Sequence, residues 1–184
     1  WGPETFAAIA DATRLQEVIE SVGRARLVEL IESIAHLMRC SEEFPAEGRG
    51  LTVSELEALG AMYADIGLDP TIEPRVLLAV VQFAFFAPGK EQGHVRFAHE
   101  IIADYLAARH AIALIRARPD SADALGQAVG IRRDLDRSVF LRAIVHELKG
   151  QPEVAAAVAG HVEAGRVRKA HVANAQLLAA ALSQ

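Results

Sequence analysis

Residues 95–109 read Val95-Arg96-Phe97-Ala98-His99-Glu100-Ile101-Ile102-Ala103-Asp104-Tyr105-Leu106-Ala107-Ala108-Arg109, and the rest of the chain is best read outward from them. The first residues alternate as a strand does, which places Phe97 and His99 on one face if the strand continues that far. From His99 onward, Ile101, Tyr105, Ala108, Ile112 and Ile115 recur at three- and four-residue steps, the stripe of a helix. A polar histidine thus stands where a strand gives way to a helix N-terminus. Free backbone N–H groups and the positive end of the helix dipole are concentrated there, a setting that suits an anion.

Outward in the N-terminal direction, Phe83, Phe85 and Phe86 form one arm of a β-hairpin and His94 to Phe97 the other, with Pro88, Gly89, Lys90 and Gly93 between them. A two-stranded hairpin is marginal alone, so its aromatic residues need helices to pack on. Those helices precede it. Arg24 to Cys40 carries an inward stripe of Leu27, Leu30, Ile31, Ile34, Ala35 and Met38, with Glu29, Glu32 and Arg39 facing away. His36 lies near the end of this helix, where a solvent-facing imidazole is favoured by the dipole. Residues 41–50 read as a loop. Thr52 and Glu55 have capping-box spacing, and Leu51 and Leu56 have staple spacing, so a helix is expected from there to about Gly67. Pro74 is placed to open another helix, Arg75 to about Gln82. Trp1 to Gly23 reads as one or two short helices, the tail of a preceding segment.

Toward the C-terminus, Asp120 or Ser121 can cap a helix that ends near Gly130. Leu135 to Leu148 is strongly periodic and Gly150 follows as a stop. Pro152 to His161 and Arg166 to Leu182 read as two more helices. The expected fold is mainly α. A winged-helix-like unit with one short β-hairpin spans 24–118, and a solenoid-like helical array spans 119–184.

Composition agrees. Of 184 residues, 52% are hydrophobic but only 5% aromatic, so the apolar content is Ala, Leu, Val and Ile, which favours helices over sheets. The net charge of −5, from 24 acidic and 19 basic side chains, lowers the prospect of a nucleic-acid partner. The one cysteine, Cys40, excludes an internal disulfide framework and fits a reducing, cytoplasmic compartment. The apolar run Val76 to Ala87 is too short to span a membrane and is interrupted by Gln82. Because the chain opens on Trp1, it reads as a piece of a longer protein.

Several catalytic motifs fail on inspection. Around Gly89-Lys90, Ala84 stands at the first glycine of a P-loop and Glu91 at its hydroxyl position. His99-Glu100 is followed by Ala103 where a zinc-protease helix needs its second histidine. No Gly-x-Ser-x-Gly elbow occurs. The chain is therefore not expected to be an enzyme by itself or to hold a metal.

The 95–109 stretch resembles the Phe-x-His-x-x-x-x-Glu-Tyr-Leu-Ala-Ala pattern in the winged-helix region of NACHT-type STAND NTPases. Phe97, His99, Tyr105, Leu106, Ala107 and Ala108 match it; Asp104 replaces the usual Glu, and Ile102 an aromatic residue. The resemblance reaches back loosely to Arg24 and little beyond Ile115. It implies that His99 contacts the β-phosphate of ADP held by an ATPase core of the same parent protein. The chain would then be a regulatory lid and helical arm. It would hold the ADP-bound parent closed until ATP exchange permits homo-oligomerisation and effector activation, in defence against phage for example. Asp104 reads as a structural acid. Two other functions remain open: a stand-alone helical scaffold for a protein partner, and a winged-helix DNA binder using Arg75 to Gln82.

Overall fold

The computed structural model describes residues 20, 24–40, 51–52, 86–88, 94–131, 135 and 138–184. The expected helices of the first 23 residues, the helix after Thr52, the Arg75 to Gln82 helix, the loop before Gly50, and Phe83 and Phe85 lie outside them. The described fold is mainly α, as composition demands. In order it comprises α1 (Arg24–Cys40), β1 (Leu51–Thr52), β2 (Phe86–Pro88), β3 (His94–Phe97), α2 (Glu100–Ala117), α3 (Ala122–Val129), α4 (Val139–Leu148), α5 (Pro152–Glu163) and α6 (Val172–Leu182).

The chain divides into two compact units, Trp1–Ile31 with Gly48–His99, and Glu32–Glu47 with Glu100–Gln184. The division differs from the expected 24–118 domain. It falls within α1 and again between His99 and Glu100, so α2 goes with the helices that follow it.

In the first unit the hairpin is present and gains a third strand. The antiparallel order is β1-β3-β2, with Leu51 opposite Val95, Phe86 opposite Phe97, and Pro88 opposite Val95. Pro88 therefore closes β2 rather than belonging to the turn. It sits on an edge strand, where a missing N–H costs no ladder bond. On β3 the pleat separates exposed Arg96 from Phe97, which is 6% exposed.

In the second unit, α2 packs on α3 and α4, and α6 packs on α3, α4 and α5. The face that α2 buries is mostly small: Ala103, Ala107, Ala108 and Ala111, with Ile112 and Ile115 further along. Small side chains let neighbouring helices approach closely, and larger ones on the partners fill the space. Phe140, Ile144 and Leu148 of α4 are fully buried, each worth about 1.5–3 kcal/mol.

The helix boundaries have local causes. Pro119 disfavours helical backbone at Arg118, which ends α2. Ser121 caps α3 by accepting from the Ala124 N–H at 3.1 Å. The periodic run from Leu135 starts its helix later than its apolar spacing suggests, because Ser138 intervenes as the N-cap. Its hydroxyl accepts from Leu141 N–H and donates to the Leu135 carbonyl. Pro152 opens α5. At its end, Gly165 adopts φ 62°, its N–H reaches Val162, and the Arg166 N–H reaches His161. This is a Schellman closure, which ends the helix and forces a turn. The expected helix from Arg166 consequently begins later, as a 3₁₀ turn at Lys169–His171 followed by α6.

Candidate functional site

His99 lies directly before the first residue of α2, and its side chain is exposed. The strand does not extend to it. Pairing stops at Phe86 and Phe97, because Phe86 is the first residue of β2. The expected sharing of a strand face by Phe97 and His99 is therefore replaced by a strand residue and a helix-start residue. Among the described residues no hydrogen bond or ion pair engages the His99 imidazole. The next residue, Glu100, puts a carboxylate in the first turn of α2, where it complements the helix dipole.

The expected stripe along α2 is also revised. Ala108, Ile112 and Ile115 are buried, but Ile101 is 68% exposed and Tyr105 51% exposed. The buried face of the first two turns is instead Ala103, Asp104 and Ala107. An acid on that face needs a partner, and Arg39 of α1 supplies it. Its Nε donates to Asp104 Oδ1 at 2.8 Å, and its second guanidinium nitrogen lies as close. The structural role assigned to Asp104 from sequence has its physical basis here.

Arg39 and Asp104 form one end of a polar seam between α1 and α2 that sequence reasoning missed. At the other end, Arg109 Nε donates to Glu32, whose side chain is 9% exposed. Hydrogen bonding to Glu32, then to Tyr105, raises the Arg109 pKa further. Between the two ion pairs lie two histidines, His36 and His110, with ring centroids 5.0 Å apart. Ser33 Oγ is 3.1 Å from His110 Nδ1. His36 Nε2 is 2.9 Å from the Ala128 carbonyl oxygen. A carbonyl only accepts, so His36 carries its proton on Nε2. The seam runs from Glu32 with Arg109 at one end to Arg39 with Asp104 at the other, so the two helices cross it antiparallel.

Two expectations for α1 are corrected by this arrangement. His36 is 8% exposed rather than solvent-facing, and Glu32 is 7% exposed rather than outward. Glu32, Ser33, Ile34, Ala35, His36 and Leu37 are all buried, so the second half of α1 is enclosed on every side. The signal was local but ambiguous. Glu32, Ser33, His36 and Arg39 share one helical face, which by itself also describes a solvated one.

Desolvation favours the neutral form of both histidines, His36 being buried and His110 half-buried. The His36 pKa falls from 6.5 to about 4 by desolvation, partly offset by the Ala128 hydrogen bond. That of His110 falls to about 3, by desolvation first and then by repulsion from His36.

A second polar cluster closes the C-terminal end of α3. His36 takes the Ala128 carbonyl; Asn174 Nδ2 donates to the carbonyls of Val129 and Gly130, and His171 Nδ1 also donates to Gly130. Three successive carbonyls are thus satisfied by side chains from α1 and from the α6 entry. On α5, the His161 Nε2 faces the Pro119 carbonyl at 3.0 Å, and its buried Nδ1 has no partner among the described residues. Cys40 is buried, and its carbonyl accepts from the Ile131 N–H. Among the described residues no group of three metal-ligating side chains assembles. No described helix is long and apolar enough to cross a membrane.

Comparison with known proteins found no matching family model, curated protein or solved structure.

Proposed function

We propose that this chain is the nucleotide-sensing lid and helical arm of a NACHT-type STAND NTPase. It would hold the ADP-bound parent closed until exchange for ATP allows oligomerisation and activation of an attached effector. The observation that carries the reading is the Phe97-x-His99 to Ala107-Ala108 signature, with His99 exposed at the start of an 18-residue helix. An exposed imidazole beside free helix N–H groups is equipped to donate to a phosphate oxygen. The three-stranded antiparallel order β1-β3-β2 supports a winged-helix-like unit.

In this reading His99 is the nucleotide-facing residue, and the ATPase core of the parent, acting in the cytoplasm, supplies the rest of the ADP/ATP site. The chain itself performs no catalysis. Exposed Ile101 and Tyr105, two and six residues beyond His99, fit contact with another part of the parent. A free-standing helical scaffold is less well supported. In the helices from α4 onward, Leu177 at 40% is the exposed large apolar side chain among the described residues.

The test is His99→Ala in the intact parent. Losing one hydrogen bond to a charged phosphate costs about 1.5–3 kcal/mol, so ADP affinity should fall about tenfold or more. Light scattering should show easier oligomerisation. Unchanged ADP affinity in a folded variant would remove His99 from the nucleotide site.

A further inference from the structure

His36, which is buried, and His110, which is half-buried, sit where the Glu32–Cys40 half of α1 meets α2 along a run of polar side chains. From the α1 side the seam presents Glu32, Ser33, His36 and Arg39. From α2 it presents Asp104, Arg109, His110 and the Tyr105 hydroxyl beside Arg109. α3 contributes the Ala128 carbonyl, and α4 the Phe140 ring at 6.4 Å from His36. The cations on the seam, Arg39 and Arg109, are each neutralised by a carboxylate, so no described acid is left to receive an imidazolium. Two rings with centroids 5.0 Å apart cannot both be charged without strong repulsion.

We propose that this seam is a two-proton latch: uptake of one proton by each of His36 and His110 frees the Glu32–Cys40 half of α1 while helices α2 to α6 stay folded.

The driving force is the difference between packed and released imidazoles. Released, both histidines return to an ordinary pKa near 6.5. Below that pH each favours the open form by about tenfold per pH unit, and the two together by about a hundredfold. The carboxylates act in the same direction but later. Glu32 and Asp104 have released-state values near 4.3 and 3.9, so the window from about pH 6 to 4.5 belongs to the histidines. The latch does not involve His99, so it stands or falls apart from the nucleotide reading.

Cys40 supplies the readout. It is the last residue of α1, is 5% exposed, and is the chain's one cysteine. Its labelling by 4,4′-dithiodipyridine would be followed in the full chain across that window. Each rate would be divided by the rate for a short cysteine peptide at the same pH, with helicity monitored by circular dichroism. We expect the logarithm of the ratio to rise by nearly two per pH unit as pH falls, with helicity largely retained. His36→Gln and His110→Gln preserve hydrogen bonding without titrating. Each should reduce the slope to about one, and the double variant should flatten it. A flat wild-type profile would overturn the latch, as would labelling that rises only with loss of helicity. So would a folded single variant that keeps the full slope, which covers the case of a double variant that does not fold.

Discussion

Arg39 and Asp104 bury a full charge pair, with side chains 14% and 8% exposed, whereas Arg116 and Glu147 make an ion pair at 42% and 52%. The chemistry is the same and the energetics are not. Removing one member of an enclosed pair strands the other without water, so Asp104→Asn should lower unfolding free energy by about 3 kcal/mol. Glu147→Gln should change it by less than about 1 kcal/mol, since solvent already screens that pair. Urea unfolding of both variants checks the contrast; equal effects would mean that the enclosed pair is solvated. Sequence assigned Asp104 a structural role because its spacing from His99 left it off the phosphate-facing direction. It did not name Arg39, which lies 65 residues away and carries no local mark of the partnership.

At the scale of elements, α3 shows how much is decided at a helix end. It is eight residues long, too short to persist without tertiary support. Ser121 closes its start, and borrowed side-chain donors occupy its last carbonyls. Gly130 then leaves the helix with φ 57° and ψ −153°, a region reserved for glycine. A Cβ there would overlap the Cys40 carbonyl. Gly130→Ala should therefore cost about 3 kcal/mol or more, from backbone strain plus forced displacement of the end of α1. A thermal melt within a degree or two of wild type would show that the chain can re-route at this point.

Element ends with a chemical marker were legible in the sequence: the starts at Ser121 and Pro152 and the glycine stop at Gly130. β1 was not. Two residues are too few to show alternation, and Thr52 was read only as a helix cap. The interior of α1 was misread for the opposite reason. Leu30, Ile34 and Ala35 of its apolar stripe are buried, but so are Glu32, Ser33 and His36, and periodicity alone does not distinguish a polar face in water from one matched by a second helix.

For the whole molecule, buried His36 and half-buried His110 set the acid limit of stability. Their pKa values are lowered on folding, to about 4 for His36 and about 3 for His110. Such groups contribute stability that is fully present above the unfolded value near 6.5 and is lost as pH falls toward the folded values. For His36 the contribution is on the order of 3 kcal/mol. Urea midpoints should therefore hold steady from about pH 8 to 7 and decline below about 6.5, well before most carboxylates titrate. A midpoint constant down to about pH 5 would mean that water reaches these rings. Seven histidines in the sequence did not reveal which were enclosed, and His36, the one placed on a helix face, was read as solvent-facing. The nucleotide reading was legible only through family resemblance, since an exposed histidine at a helix start has no chemistry of its own that demands a phosphate.

The α1–α2 seam also has a consequence for how this chain can change over generations. An apolar contact tolerates drift one side at a time, because a methyl group lost or gained is a modest change. Arg39 with Asp104 offers no such intermediate: altering either member first removes the opposite charge from a largely enclosed one. In lineages descended from this sequence, that pair should be inherited whole or exchanged whole. Positions 39 and 104, far apart in the text, should then behave as a single evolutionary character.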